Sequence, residues 1–351
     1  MRITEHKWPM GTKPLVTTRT MTYMQEDCIR DCIEGILNQK TTFPVQVLIH
    51  DDASTDKTAE IIREYEQKHP GVITAYYQTE NSFSKPDKNL RRKAFIDLID
   101  GKYTAICEGD DYWTDPLKLQ KQAEFLEAHP DYGIVHAEAS IYMVHNSRFK
   151  SAKTKKRKNI PSGDVFKDLL KVNHIISLTV MYRSSVLLKA VEIIRGNESL
   201  RRFQRDSSYW LVAAKLAKVE HMDEVVGVYR WNKHSVSHVP RESGSVSYKR
   251  FMLDYRLAFI DYYCMTELKE EVIHDFLERN MPIVSANRSK FADISECVDS
   301  FRTTTLQNQL FRYLYTHKIR ESIIQYIFIV YSVLMLNVRR CRDYLLGSRN
   351  R

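Results

Sequence analysis

The fold of this chain is decided by two stretches, VQVLIHDDASTD at residues 45–56 and YTAICEGDDYWTDP at residues 103–116. Each stretch begins with an apolar run of strand length and continues into a cluster of carboxylates. Carboxylates crowded at a strand end repel one another unless a cation joins them, and Mg²⁺-type cations held by carboxylates commonly bind phosphates as well. The two stretches therefore predict a site for a polyanion that is held together by a divalent metal.

Strands and amphipathic helices alternate around these two stretches. The apolar spacing predicts strands at 15–21, 45–49, 72–77, 103–107 and 133–144 and around 173–182 and 223–229. It predicts helices at 25–39, near 89–99 and from Pro116 to about Ala128, and a further helix that follows 45–49 and is capped by Ser54 or Thr55. Such alternation predicts an α/β fold with a mostly parallel sheet covered by helices on both faces. Ligands of these sheets bind beyond the carboxyl ends of the strands, where both acidic clusters are expected.

Length and composition indicate a globular protein with more than one structural region. The chain has 351 residues, of which 43% are hydrophobic and 28% are charged, so a buried core is expected. From about residue 245 the pattern is helical without strand alternation. We therefore predict an α/β domain at 1–240, a helical extension at 241–318 and a basic amphipathic segment at 319–351.

The formal net charge of +9 is concentrated in two segments. Residues 148–158 contain seven Lys or Arg and no acid, and residues 312–351 contain eight against two acids. Basic segments of this kind face an anionic partner, for which nucleic acid and membrane phosphate are the candidates. No base-reading module accompanies them, so no nucleic-acid partner is expected.

Six cysteines are scattered along the chain, at 28, 32, 107, 264, 297 and 341. This density is low for a disulfide scaffold, and the N-terminus lacks the pattern of a secretory signal. We expect a reduced, cytosol-facing protein. The i,i+4 pair of Cys28 and Cys32 has no second pair to complete a zinc site, so both are interpreted as small buried hydrophobes.

Three motifs in the same order resemble those of family 2 glycosyltransferases, which are nucleotide-sugar-dependent enzymes with the GT-A fold. They are Thr22-Tyr23, the segment Asp51–Thr58 and the segment Glu108–Trp113. The resemblance extends over about residues 13–238. Within Gly101–Pro130 it is especially close to bacterial enzymes of capsule and surface-polysaccharide assembly.

This resemblance implies roles for individual residues. The residues implied for nucleotide-sugar binding are Thr22, Tyr23, Asp52, Ser54, Asn89, Asp110 and Arg230. The segment Glu108–Asp111 resembles the Asp-x-Asp motif that holds Mn²⁺ or Mg²⁺, with Glu108 in place of the first Asp. We expect Asp111 and Asp110 to be metal ligands before Glu108. At the register where the family often has a His ligand this chain has Asn232, and His234 follows two places later.

The downstream segment 205–230 is similar to the acceptor half of the family, which makes Asp206 the candidate general base. In an inverting transfer one carboxylate takes the proton of the acceptor hydroxyl while that oxygen attacks the anomeric carbon. The alternative for Asp206 is a helix N-cap. Tyr112 and Trp113 form either a platform for a sugar ring or part of the core.

Residues 323–338 are almost entirely apolar and are followed by three arginines at 339, 340 and 342. Sixteen positions are short for a membrane span of about 20 residues, so a helix lying in the headgroup region of an anionic membrane is expected. The alternative is a core helix or the interface of a homo-oligomer. The location that follows is the cytoplasmic face of the membrane.

Together these features predict a metal-dependent, inverting glycosyltransferase of surface polysaccharide synthesis. Its donor would be a nucleotide sugar, for which the resemblance most often implies uridine as the nucleoside, and its acceptor would be a glycan or a lipid-linked saccharide. The alternative is a catalytically silent subunit that binds a nucleotide sugar or supports assembly, because the departures at Glu108 and Asn232 are compatible with loss of turnover.

Overall fold

The computed structural model describes residues 1–9, 11–81, 95–150, 159–232, 246–301, 303, 305–317, 323, 324 and 327. The chain divides into two compact units, Met1–Ser235 and Val236–Arg351. Residues 89–94 of the predicted helix near 89–99, residues 151–158 of the basic stretch and most of the apolar tail lie outside the described residues. Within the described ranges, no helix has the length and hydropathy needed to cross a bilayer.

The described part of the N-terminal unit contains one nine-stranded sheet. Its strands are Val16–Thr22 (β1), Val45–Asp51 (β2), Ile73–Tyr77 (β3), Tyr103–Ile106 (β4), Tyr112–Trp113 (β5), Tyr132–Met143 (β6), Arg148–Lys150 (β7), Met181–Arg183 (β8) and Lys218–Trp231 (β9). The order is β3-β2-β1-β4-β8-β6-β9-β5, and β7 pairs with β6. β1 to β4 are mutually parallel, as are β6 and β9, whereas β5, β7 and β8 are antiparallel to their neighbours.

Helices flank this sheet and make up the C-terminal unit. Those of the N-terminal unit are Ile29–Leu37 (α1), Thr58–Lys68 (α2), Lys118–Ala128 (α3), Phe166–Lys171 (α4), Ser184–Gly196 (α5), Glu198–Arg201 (α6) and Asp206–Leu216 (α7). Those of the C-terminal unit are Val246–Tyr262 (α8), Lys269–Ser285 (α9), Ser295–Ser300 (α10) and Leu306–Thr316 (α11). Helices around a mostly parallel sheet, with a helical C-terminal region, confirm the predicted fold class.

The main core of the N-terminal unit follows the predicted periodicities. On α1 the apolar residues spaced three and four apart are buried, among them Ile29, Ile33 and Ile36. On β2, Val47 and Ile49 point into the same core. The second unit has its own core, which includes Leu277, Phe291 and Phe311.

The predicted cap of α2 is wrong. The helix begins at Thr58, whose backbone N–H donates to Asp56 Oδ1 at 3.0 Å. Ser54 instead donates its hydroxyl hydrogen to Asp51 Oδ1, and the Thr55 backbone N–H donates to Met24 Sδ. The loop between β2 and α2 is longer than the sequence pattern predicted. The hydroxyls of Ser54 and Thr55 bind Asp51 and Met24 and do not cap the helix.

Three histidines lie close together on and beside the paired strands β6 and β9. His136 of β6 is fully buried and pairs in register with His221 of β9, with ring centroids 5.0 Å apart. His174 lies 5.6 Å from His136 on the same centroid measure, and Glu138 Oε1 lies 3.1 Å from His221 Nε2. Burial lowers the pKa of His136 well below its usual value, and the neighbouring imidazoles lower it further.

We predict that His136 makes the protein sensitive to acid. Because its native pKa is depressed, the unfolded chain binds this proton first, so stability falls as the pH drops through the unfolded value of about 6.5. Each lost kcal/mol lowers the Tm by about 2–4 °C for a unit of this size. The fall in Tm between pH 7.5 and pH 5.5 should be smaller for His136→Leu than for wild type.

The matched control is His129→Leu, which changes an exposed histidine of the same unit. This control should keep the wild-type pH dependence. Equal slopes of Tm against pH for wild type and His136→Leu would contradict the prediction.

Candidate active site

The two acidic clusters flank the carboxyl end of β1. The backbone N–H of Asp52 donates to the carbonyl of Thr22 at 3.0 Å, and that of Gly109 donates to the carbonyl of Met21 at 3.0 Å. The first contact extends the pairing of β1 with β2, and the second lies just beyond its pairing with β4. The loops after three parallel strands therefore meet at one edge of the sheet.

The loop after β2 is held by its own side chains. Ser54 donates its backbone N–H to Asp51 Oδ2 at 3.1 Å and its hydroxyl to Asp51 Oδ1 at 2.5 Å. Ser54 Oγ also accepts the backbone N–H of Met24 at 2.9 Å. Asn81 Nδ2 donates to the carbonyl of Asp52 at 3.2 Å. Ser54 thus fixes the loop that carries Tyr23 as well as its own.

Gly109 allows the acidic turn to lie directly against β1. A Cβ atom at this position would come 2.9 Å from Thr22 Cβ and would collide with Gln25 Oε1. Real Cβ atoms do not approach other heavy atoms so closely, so any larger residue would displace the turn. The glycine therefore sets the spacing between the two acidic clusters.

Arg230 joins the acidic turn to the end of β9. Its backbone N–H donates to Asp111 Oδ1 at 2.8 Å, and its Nη1 donates to the carbonyl of Asp110 at 3.1 Å. Its Nη2 forms an ion pair with Asp31 on α1. The Arg230 guanidinium also lies 4.5 Å from the centroid of the Tyr112 ring. A single residue therefore connects β9, α1 and the turn.

The two aspartates of this turn are held in an environment that disfavours their charges. Burial raises the pKa of Asp111 well above its usual value, and the charge of Asp110 raises it further. Burial also raises the pKa of Asp110, against the opposing effect of the Arg230 charge. A bound cation would offset both effects because it favours the charged carboxylates.

The donor chemistry of this turn fits a hard divalent cation. Mg²⁺-type ions take one or two protein carboxylates and complete their shell with phosphate oxygens and water. In the part of the chain that the structure describes, no three His, Cys, Asp or Glu side chains gather around one point as metal ligands. Asp110 and Asp111 would thus hold an ion together with a phosphate ligand. His234 and Asn89 lie outside the described residues.

Trp113 is a core residue, which corrects its interpretation as a sugar platform. Its side chain is 3% exposed, and its Nε1 donates to the carbonyl of Leu178 at 2.7 Å. The Nζ of Lys118 lies 4.3 Å from the centroid of the indole ring. Lys118 is fully buried, and burial lowers the pKa of its ammonium to about 7. Tyr112 is half-buried beside Arg230, and its role as a platform for a sugar ring stays a hypothesis.

Asp206 lies at the same edge of the sheet as the acidic turn. Because β8 is antiparallel to β4, the residues that precede β8 lie beyond the carboxyl end of β4, and the Ile106 backbone N–H donates to the carbonyl of Val180 at 3.1 Å. Ser177 precedes β8, and its Oγ donates to Asp206 Oδ2 at 3.0 Å. Arg205 is the N-cap of α7, so Asp206 is its first residue rather than its cap.

The structure therefore brings together at one edge most of the residues implied by the resemblance, namely Thr22, Tyr23, Asp52, Ser54, Glu108, Asp110, Asp111, Tyr112, Asp206, Arg230 and Asn232. Asp31 and Ser177 were missed from the sequence. Both act through contacts between residues far apart in the chain, for which no local pattern exists.

Comparison with known proteins finds a matching family, relatives and a similar fold. Residues 20–189 match the family described as Glycosyl transferase family 2. An uncharacterized protein of Mycobacterium tuberculosis is 43% identical over 112 residues, which is 32% of this chain and 31% of that protein. The aligned part of this chain therefore spans about a third of the length of that relative.

Two further relatives bear glycosyltransferase names. An uncharacterized glycosyltransferase of Methanocaldococcus jannaschii is 29% identical over 224 residues, covering 62% of this chain and 71% of that protein. TuaG of Bacillus subtilis, named as a candidate glycosyltransferase of teichuronic acid biosynthesis, is 33% identical over 114 residues, covering 32% of this chain and 42% of that protein.

Among solved structures, the fold is similar to that of S. aureus TarS 1–349 in complex with UDP-GlcNAc. The TM-score is 0.54 at 14% sequence identity, covering 87% of this chain and 88% of that one. At this identity the likeness concerns the fold alone. The match at 20–189 and the GT-A-like arrangement of strands and helices confirm the resemblance of this chain to glycosyltransferase family 2.

Proposed function

We propose that this chain is a metal-dependent, inverting glycosyltransferase that moves a sugar from a nucleotide sugar to a hydroxyl group. The observation that carries the proposal is the placement of Asp206 at the sheet edge that also holds Asp110 and Asp111. Such a transfer needs two components. One is a general base for the acceptor, and the other is a set of carboxylates that can bind a metal and its diphosphate.

In the proposed reaction the nucleoside contacts the loops that contain Tyr23 and Asp52. A divalent cation held by Asp110 and Asp111 would neutralise the diphosphate leaving group. Arg230 places a second positive charge beside the same turn. These charges favour departure of the diphosphate because negative charge develops on its oxygens in the transition state.

Asp206 would act on the acceptor. Its carboxylate takes the hydroxyl proton while the hydroxyl oxygen forms a bond to the anomeric carbon and the bond from that carbon to the diphosphate breaks. The attack occurs on the face opposite the leaving group, so the configuration inverts and no covalent enzyme intermediate forms. Asp206 is exposed, which suits contact with a large acceptor.

We further propose that the donor is UDP-linked and that the acceptor is a glycan or lipid-linked saccharide of a cell-surface polymer. The name of TuaG supports this acceptor class, as does a poly(ribitol-phosphate) beta-glucosyltransferase of Bacillus spizizenii that is 28% identical over 93 residues, 26% of this chain and 14% of that protein.

The first test concerns Asp206. Replacing it in Asp206→Asn should lower sugar transfer about 10²–10⁴-fold, because an amide cannot take the acceptor proton. Binding of UDP with Mn²⁺ should remain close to wild type. Asp168→Asn, which changes an exposed acid in the first turn of α4, is the matched control and should leave transfer unchanged.

Each outcome of this test has a defined meaning. Normal transfer by Asp206→Asn would remove Asp206 from its role as the base. A wild-type chain that binds UDP and Mn²⁺ but never transfers sugar, across a panel of UDP-sugars and lipid-linked saccharides, would favour the silent subunit.

The second test concerns the metal. UDP with Mn²⁺ should raise the Tm of wild type by about 5–10 °C at a hundredfold excess over Kd, which corresponds to about 2.7 kcal/mol. EDTA should remove most of this shift, and Asp110→Asn should reduce it because one carboxylate ligand is lost. Equal shifts with EDTA and with Mn²⁺ would show that nucleotide binding does not need the metal.

The third test concerns the segment 319–351, which we propose contacts an anionic membrane surface. Removing it should abolish sedimentation with vesicles that contain anionic lipid, since basic residues near such a surface contribute about 1 kcal/mol each. Uncharged phosphatidylcholine vesicles provide the control. Unchanged sedimentation of the truncated chain would refute membrane contact through this segment.

A further inference from the structure

Ser177 opens a short 3₁₀ turn, Ser177–Thr179, that is fixed to the core on several sides. The carbonyl of Leu178 accepts the Trp113 indole N–H at 2.7 Å, and the carbonyl of Thr179 accepts Gln122 Nε2 at 2.8 Å. The Thr179 hydroxyl donates to the carbonyl of Ile176 at 2.8 Å. Leu178 and Thr179 are both fully buried. The turn is therefore a rigid support for the half-buried side chain of Ser177.

The Ser177 side chain contacts Asp206. Ser177 Oγ donates to Asp206 Oδ2 at 3.0 Å across 29 positions of sequence. The bond engages one carboxylate oxygen and orients the plane of the carboxylate, so the acceptor proton is directed to the other oxygen, Oδ1. Without such a contact, an exposed carboxylate on the first turn of a helix rotates among several rotamers.

The same 3₁₀ turn is hydrogen-bonded to a residue that follows the acidic cluster. Ser177 is joined covalently to Leu178, which is hydrogen-bonded to Trp113, and Trp113 follows Asp111 by two residues. Trp113 is buried in the core and is held by Lys118. A short series of bonds therefore connects the carboxylate of Asp206 to the turn that carries Asp110 and Asp111.

We propose that Ser177 is a positioning residue that sets the carboxylate of Asp206 relative to the donor site. This inference rests on the proposed function, in which Asp206 takes the proton of the acceptor. A hydrogen bond to an ionised carboxylate is stronger than one between neutral groups, and small errors in the position of a catalytic group are costly to the rate. Ser177 itself need not touch the donor or the acceptor.

The alternative is that the bond only stabilises the start of α7. An exposed hydrogen bond of this kind contributes about 1 kcal/mol or less to the free energy of unfolding. A structural role of this size would alter the Tm slightly and would leave kcat unchanged in the folded protein. The two roles therefore differ in the quantity that a substitution changes.

The test measures transfer from UDP-glucose, UDP-galactose and UDP-GlcNAc with Mn²⁺ and a lipid-linked saccharide, using whichever donor the wild type accepts. Ser177→Ala should lower kcat about tenfold while the KM for the donor stays within about twofold, since the donor contacts are unaffected. Ser177→Thr retains the hydroxyl and should restore most of kcat. Ser199→Ala, an exposed serine on α6, is the matched control.

A double-mutant cycle sharpens the assignment. If Ser177 acts through Asp206, Ser177→Ala should have no further effect on kcat in the Asp206→Asn background. An unchanged kcat in Ser177→Ala, or equal losses in both backgrounds, would overturn the inference. So would a Ser177→Thr variant as impaired as Ser177→Ala.

Failure of this inference is distinguishable from failure of the proposed function. If wild type transfers sugar and Asp206→Asn does not, a normal Ser177→Ala removes only the positioning role. If the wild type never transfers sugar, both the function and the inference are overturned. The thermal unfolding of each variant confirms that a lost rate reflects a folded protein.

Discussion

The site depends on one hydrogen bond, in which the backbone N–H of Arg230 donates to the buried carboxylate of Asp111. A desolvated carboxylate is costly unless hydrogen bonds or opposite charges stabilise it. The Arg230 backbone supplies a hydrogen bond to Asp111, and the Arg230 charge stabilises the neighbouring carboxylate of Asp110. The bond connects residues 119 positions apart. It fixes the end of β9 against the turn after β4, so the two halves of the proposed transferase share one edge.

The directions of the strands determine which loops reach this edge of the sheet. Because β1, β2 and β4 are parallel, the loops that follow them lie at one edge of the sheet. Asp52 and Gly109 there donate hydrogen bonds to the end of β1, at Thr22 and Met21. The antiparallel strand β8 then brings Ser177 to that edge from the opposite chain direction. A purely parallel sheet would have placed the residues before β8 at the other end.

The sequence predicted the parts of this structure that local patterns determine. The strands at 45–51 and 103–106 and the buried face of α1 follow from periodicity, and the acidic clusters at the strand ends follow from strand length. Trp113 could not be assigned, because an aromatic residue beside a strand end suits both core and ligand contact. The cap of α2 was wrong because the hydroxyls of Ser54 and Thr55 bind partners outside the helix.

The contacts of Asp31 and Ser177 were beyond prediction because each depends on how distant segments pack. The resemblance implied roles for Asp110, Asp111 and Asp206, but only folding determines that Arg230 and Ser177 hold two of these carboxylates in place. The same applies to Lys118, which is buried beside Trp113 and whose pKa burial lowers to about 7. No local feature of the sequence reports that burial.

The most direct measurement is a crystal structure of the full chain with UDP and Mn²⁺. We expect a cation bound by an oxygen of Asp110 or Asp111 and by the diphosphate, with Asp206 facing the open side of that diphosphate. A nucleotide bound elsewhere, or a cation that contacts neither aspartate, would contradict the claim that this edge of the sheet is the transfer site.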